Sequence, residues 1–335
     1  MATIKDVAKV AGVSIATVSR VIHNKGKVGD VCRARVKKVI EELGYRPNSN
    51  ASALASNTSN NIGVVTPKLS MPFFGSLASG VEKGARENNF KLLMANSLYE
   101  TESELNAIES LREHNCKAII LHSEYSDEET LIKLASEIPG LVLINRYIPE
   151  LSNRCVWLDN LSGSQLATKY LLEKGHENFA VVTSIYQNRD PSCRVDGVRN
   201  ILEKNNFKLD PNSVEESTAN IEGGENAVKA LLAKGQKFTA LLAYNDLMAI
   251  GAIHALFDAG IRVPEDVSVI GFDDLLVGIA CRPRLTTMHY PVEEMAHYAT
   301  NLAIKLSDTS VPASKQTHLF IADLVERDSV KDISK

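Results

Sequence analysis

The chain has 335 residues, a formal charge of −4, 44% hydrophobic and 23% charged residues, enough for a packed core in two domains and unlike a disordered chain. The charge is unevenly placed: residues 1–60 hold ten Lys/Arg against four Asp/Glu, and the rest hold 27 against 37. A basic head on an acidic body points to an arm that meets nucleic acid or another anionic surface, and excludes a protein coated uniformly by nucleic acid.

The head spans 1–46 and reads as three short helices. Thr3 is placed to cap the first, with Asp6 three positions on as in a capping box. Ile4, Val7, Ala8 and Ala11 then share a face, and Gly12 ends it. Ser14 caps a second helix running from Ile15 to about His23, with Val18, Val21 and Ile22 as its apolar stripe. Asp30 precedes a third, in which Val36, Val39, Ile40 and Leu43 recur at helical spacing before Gly44 and Pro47. Two helices joined by AGVS predict a helix-turn-helix. Inward Val18, Val21 and Ile22 turn Ile15, Ala16 and Thr17 outward, where a recognition helix meets base edges. Ile15 and Ala16 offer apolar contact, as to thymine methyls. Ser19, Arg20 and Asn24 offer polar groups to bases or phosphates. The competing reading, a protein-binding three-helix bundle, leaves the agreement of turn, cap and charge without a cause.

Residues 47–60, PNSNASALASNTSN, form a linker or marginal helix with Leu54 as its one large apolar residue. From 61 to 335 short apolar runs alternate with amphipathic stretches. Strands are predicted over 62–66, 91–95, 118–122, 141–145, 156–159, 180–183, 240–244 and 267–272. Helices are predicted over 76–88, 103–114, 162–174 and 223–234, and 291–306 has helical apolar spacing. Strands this apolar are covered on both faces, and the alternation predicts a doubly wound α/β body. Its two lobes of about five strands are expected over about 61–158 with 291–319, and about 159–290 with 320–330.

Ligands in such lobes bind beyond the carboxyl ends of strands. Ser70, Phe73 and Phe74 follow the first strand of the body, and Arg194 follows the loop after 180–183. Asn245 and Asp246 follow 240–244; Asp273 and Asp274 follow 267–272. Asp, Asn and Arg suit paired hydroxyls, and Phe suits the C–H face of a sugar. Asp246 is read as the cap of the next helix. Asp274 is open between cap and ligand, and a cap is also open for Asp273. Neighbouring carboxylates on one strand end alternate in direction, so no glycosidase pair is expected. No P-loop, G-x-S-x-G, H-E-x-x-H or G-x-G-x-x-G is present. IEGGEN (221–226) reads as a turn and helix start, His176 as a turn residue and Trp157 as strand core. Cys32, Cys116, Cys155, Cys193 and Cys281 form no C-x-x-C pair, and no Cys/His run has zinc spacing. No secretory signal or bilayer-spanning run is evident. The expectation is a soluble cytoplasmic chain with no catalytic residues, no metal and no cofactor.

ATIKDVAKVAGVSIATVSRVI (2–22) is followed by GYRPNSNASALA (44–55), IGVVTPKLSMPFFGSL (62–77), YNDLMAIGA (244–252), VPEDVSVIGFDD (263–274), RPRLTTMHYP (282–291) and LVERDSV (324–330). In this order they resemble the lactose/galactose repressor family of bacterial transcription regulators over the whole chain. GLVLINR (140–146), NRC (153–155) and FTALLAYNDLMAIGA (238–252) resemble its branch that controls galactose operons.

The resemblance implies a periplasmic-binding-protein-like body and a homodimer on double-stranded operator DNA. The segment 50–55 would become a hinge helix in the minor groove, with Leu54 as the wedge that kinks the duplex. The implied DNA contacts are Thr3, Ser14, Ile15, Ala16, Thr17, Ser19, Arg20 and Asn24 in the head, and Asn50, Ala53 and Leu54 in the hinge. Ser52 stands where many relatives carry Arg, a departure expected to weaken backbone contact. The implied effector contacts are Ser70, Phe73, Phe74, Ser162, Arg194, Asn245 and Asp273. The expected function is a nucleoid-associated repressor that a sugar, D-galactose, releases from its operator. The alternatives are a relative that answers a purine, nucleoside or phosphosugar, and a sugar-binding transport component. The tail from Glu326 lacks heptad leucines, so the dimer is not expected to become a tetramer through it.

Overall fold

A computed structural model describes residues 2–22, 26–45, 60–186, 188–308 and 317–334. The chain divides into two compact units, Met1–Ser59 and Asn60–Lys335. Asn24, Asn50, Ala53 and Leu54, with the linker up to residue 59, lie outside the described residues.

The first unit contains α1 (Ile4–Ala11), α2 (Ile15–Ile22) and α3 (Asp30–Glu42). Thr3 and Asp6 complete the capping box: the Asp6 amide donates to Thr3 Oγ1 at 3.3 Å, and the Thr3 amide to Asp6 Oδ2 at 2.8 Å. Gly12 takes the left-handed φ of +63° that ends α1. Ser14 Oγ accepts the Thr17 amide at 3.1 Å and so caps α2. Asp30 does not precede α3; it is the first helical residue, and Gly29 holds the cap position without a side-chain bond. Val7, Ala8, Ala11, Val18, Val21, Val36 and Val39 form the core that fixes α2 against its neighbours.

The second unit holds two six-stranded sheets. Sheet one runs, in spatial order, β11 (His318–Phe320), β5 (Cys155–Leu158), β4 (Gly140–Ile144), β3 (Cys116–Leu121), β1 (Asn61–Thr66) and β2 (Lys91–Asn96). Sheet two runs β12 (Asp323–Val325), β10 (Thr286–His289), β9 (Ser268–Asp273), β8 (Ala240–Ala243), β6 (Phe179–Ser184) and β7 (Val214–Ser217). The pairings are parallel except β10 with β12. The helices of lobe one are α4 (Pro72–Glu87), α5 (Thr101–Glu113), α6 (Glu128–Glu137) and α12 (Val292–Ser307); those of lobe two are α7 (Asn160–Glu173), α8 (Asp190–Lys204), α9 (Ile221–Ala233), α10 (Asp246–Asp258) and α11 (Leu276–Ala280). The chain crosses between lobes after β5, after β10 and between β11 and β12, so α12 returns to pack on α4, β3 and β4.

Each sheet gains strands beyond the five expected, because β7, β10, β11 and β12 are short and carry little apolar signal. The VEES of β7 reads as surface until the neighbouring β6 supplies its hydrogen bonds. Trp157 lies half-buried on β5 at the margin of the core, packed on Tyr147 at a centroid distance of 4.8 Å. His176 is buried and structural: its ring nitrogens reach Thr239 Oγ1 at 3.0 Å and the Lys331 carbonyl at 3.1 Å. IEGGEN opens α9 after the Asn220 cap.

Candidate functional site

A cleft of about 450 Å³ opens between the lobes of the second unit. Its walls are residues beyond the carboxyl ends of parallel strands, from β1, β2, β3 and β4 on one side and β6, β7, β8, β9 and β10 on the other. Parallel sheets facing each other end-on produce this arrangement, since all their strand-to-helix loops emerge at one edge.

Phe73 and Phe74 open α4 and form an edge-to-face wall. Phe73 meets Tyr290 at 5.0 Å, and Phe74 meets the His122 ring at 5.0 Å. Arg194, on α8, is buried with its guanidinium 3.7 Å from the Phe272 ring centroid and 4.5 Å from that of Tyr244. Its Nε donates to Asn160 Oδ1 at 2.8 Å, and its Nη1 to the Tyr244 carbonyl. Asn245 borders the cleft while its Oδ1 caps α10 by accepting the Met248 amide at 2.9 Å. Asp273 ends β9 at φ +111° with its side chain buried at the cleft.

Two residues expected here do not border the cleft. Ser70 is exposed in the loop before α4, and Ser162 is held in the first turn of α7, its hydroxyl donating to Asp159 Oδ2 at 2.7 Å. Asp246 is not the cap of α10; Asn245 takes that position. Asp246 is fully buried at the first helical turn, accepting the Leu275 amide at 2.7 Å and the Thr287 hydroxyl at 2.5 Å. It ties α11 and β10 to α10, and its burial pushes its pKa up to about 7. Asp274 turns to His289 and Arg327, a structural pairing.

The sequence reading missed Tyr99, His122, Glu124, Asn145, Asp190, Tyr186, Tyr244 and Tyr290. All but Asp190 line the cleft. Asp190 lies behind it and joins the lobes: Asn145 Nδ2 donates to its Oδ2 at 2.8 Å and Asn160 Nδ2 to its Oδ1 at 2.9 Å. Tyr290 donates to Asn145 Oδ1, extending the network. The rings of Tyr99 and Tyr186 stack across the cleft at 5.8 Å and 16°, their hydroxyls 3.4 Å apart. The strand-end rule that selected Phe73 and Asp273 would have found Tyr99, His122, Glu124 and Asn145, had it been applied after β2, β3 and β4 as well; after β6 it selected Arg194 and passed over Tyr186 and Asp190.

Among the described residues, Arg194 is the one Arg or Lys lining this cleft. Burial raises the pKa of Asp190 and raises that of Asp273 well above the ordinary carboxylate range, with Arg194 opposing both shifts. Burial also pushes Glu124 up to about 8 and holds His122 down at about 4, so the imidazole is neutral near pH 7. The site therefore presents aromatic faces, amides, a neutral imidazole and the protonated Glu124 carboxyl around one fixed guanidinium, with Asp273 beside that guanidinium. No group of three or more potential metal ligands occurs among the described residues.

In the first unit, Thr3, Ser14, Ala16 and Arg20 are exposed, as is Ile15, while Thr17 and Ser19 are half-buried. The Thr3 hydroxyl donates to Asp6 Oδ2 at 2.7 Å, and the Ser14 and Thr17 hydroxyls meet at 2.9 Å. The amino-terminal face of α2 thus shows an apolar pair beside hydroxyls, with Arg20 a turn further on.

Residues 3–48 match the family of bacterial regulatory proteins called the lacI family, and 168–330 match the periplasmic binding protein-like domain. The chain is 42% identical over 330 residues to the HTH-type transcriptional regulator GalR of Escherichia coli (strain K12), covering 98% of this chain and 96% of that protein. It is also 42% identical to the HTH-type transcriptional regulator GalS of Salmonella typhimurium (strain LT2), covering 98% and 97%. The Lac repressor dimer bound to operator and the anti-inducer ONPF has the same fold, with a TM-score of 0.87 at 24% identity over 98% of this chain and 99% of that one. The transcriptional regulator CelR in complex with cellobiose aligns at 26% identity and a TM-score of 0.73, covering 98% and 100%.

Proposed function

We propose that this chain, which belongs to the lacI family of bacterial regulatory proteins and is a DNA-binding transcriptional repressor, is released from its operator by a small uncharged sugar, D-galactose. The observation that carries the effector class is the cleft: an aromatic wall, one guanidinium, two buried carboxyl groups and the amides of Asn145 and Asn245. Such a lining suits a ring with one apolar face and several hydroxyls. A phosphosugar would need more cations than Arg194 supplies. A nucleobase would need a slot between aromatic faces, whereas Tyr99 and Tyr186 close on each other. The likeness to GalR and GalS favours galactose among neutral sugars.

The head is one functional domain, the hinge the second and the body the third. Ile15, Ala16, Thr17, Ser19, Arg20 and Asn24 read the half-site with Thr3 and Ser14. Asn50, Ala53 and Leu54 enter the minor groove. The repressor acts as a homodimer, and the exposed Phe257, Leu276 and Ile279 of α10 and α11 supply apolar surface for the second copy. It binds the sugar without turning it over, and it works in the cytoplasm on the nucleoid. Sugar closes the lobes, the paired hinges separate, and the two heads lose their common register.

Fluorescence anisotropy of a labelled operator fragment, across a salt series with and without D-galactose, tests this reading. Affinity should fall steeply with salt and drop with the sugar. An unchanged operator affinity at saturating galactose contradicts the effector assignment; a flat salt response contradicts the DNA assignment.

A further inference from the structure

Glu124 follows β3 on a short loop whose neighbours are pinned from below. Ser123 and Ser126 both donate to the buried Glu104 Oε1, at 2.8 and 2.6 Å. The loop cannot swing outward without breaking those bonds, so the Glu124 carboxyl is held at the cleft. It is 6% exposed, and its Oε2 has no hydrogen-bond partner. Its Oε1 lies 3.7 Å from His122 Nδ1, which is buried and unpartnered as well. Two adjacent buried polar atoms without a hydrogen-bond partner are costly, and a ligand that bonds to them removes the cost.

The charged surroundings define what that bond is. Asp190, behind the cleft, and the buried Glu104 both act on Glu124 as acidic groups; the remaining ring of neighbours is Tyr99, Tyr125, Tyr186 and Tyr244. Arg146 acts on Glu104 and His122, and Arg194 on Asp190 and Asp273. Neither guanidinium pairs with Glu124 by hydrogen bond or salt bridge. A carboxyl without a cation in such a place keeps its proton and becomes a donor.

We propose that Glu124 is a specificity-determining contact of lobe one, donating a hydrogen bond from its uncharged carboxyl to a hydroxyl of the sugar. This rests on the sugar-cleft reading above and adds a consequence to it: inducer binding depends on a proton that the cleft itself holds. With burial pushing Glu124 to about 8, the sign follows. The proton is present below that pH, and sugar affinity falls as pH rises through it.

Calorimetry of the full chain with D-galactose from pH 6 to 9 tests the inference, with sugar-free operator binding confirming that each variant is folded. Wild type should lose about tenfold in affinity between pH 7 and pH 9. Glu124→Gln, which retains an N–H donor, should lack that step. Glu124→Ala should bind about tenfold more weakly at pH 7. Asp190 and Asp273 remain in all three proteins, so their titrations cancel in the comparison. The inference is overturned if the step persists in Glu124→Gln, if wild type has none, or if Glu124→Ala binds like wild type. Tighter binding of D-galactosamine than D-galactose at pH 7 also overturns it, because Glu124 would then serve as a carboxylate for an ammonium. Failure of wild type to bind any neutral hexose at any pH is a different result: it removes the sugar reading, and this inference with it.

Discussion

Arg194 illustrates how one side chain acquires a role from its surroundings. Sequence places it after a strand; the structure clamps its plane against Phe272 and Tyr244, an arrangement that lysine could not reproduce. Asp246 shows the opposite case. Its position beside a helix start suggested a cap, but the preceding Asn245 takes that task and leaves Asp246 to bridge α10, α11 and β10 from the interior. That burial has a measurable consequence. The folded protein holds the Asp246 proton up to about pH 7, while an unfolded aspartate loses it near the ordinary carboxylate value. Over that interval the folded state binds more protons, so the contribution of Asp246 to stability falls as pH rises and levels off above 7. Thermal unfolding at pH 5 and pH 8 should therefore show a shallower pH dependence in Asp246→Asn than in wild type. Equal slopes would mean that the carboxyl is ionised in the fold. Sequence could name Arg194, Asn245 and Asp273, since each follows a strongly apolar strand. It could not name the Asn145–Asp190–Asn160 bridge, because that bond set exists only when two lobes meet.

At the scale of elements, the capped helices and apolar strands were legible because their signals are local. Thr3 with Asp6 and Ser14 with Thr17 are three residues apart, so the caps of α1 and α2 could be read directly. The strands β7, β10, β11 and β12 were not legible, since their stability comes from neighbours distant in sequence. Close helix packing likewise depends on distant neighbours. Gly251 of α10 lets α9 approach so closely that a Cβ there would lie 1.9 Å from the Ile221 carbonyl oxygen. Gly251→Ala must push α9 away, at a cost of about 1–3 kcal/mol. For a body of this size that is a loss of about 2–10 °C in Tm. An unchanged Tm would mean that the α9–α10 contact is looser than the backbone indicates. Operator contact by the separate head should persist at temperatures where the variant body remains folded.

For the whole molecule, the unequal charge of the two ends is the feature that the fold makes intelligible. The basic residues gather in and just beyond a three-helix unit, and the acidic excess belongs to a two-lobed body whose cleft is lined by a single guanidinium among the described residues. Fold class and head were readable because strand–helix alternation and a helix-turn-helix are repeated local patterns. The floor of the cleft was not, because it is assembled from loops of both sheets. In the proposed mechanism one protein couples these two ends, so that sugar and operator oppose each other through a single equilibrium. Linkage then requires their effects to be reciprocal. The direct measurement is the Kd for D-galactose of the free repressor and of the repressor saturated with operator, set beside the operator Kd with and without the sugar. Operator should weaken galactose binding by the same factor by which galactose weakens operator binding. Identical galactose affinity in the free and operator-bound protein would contradict it.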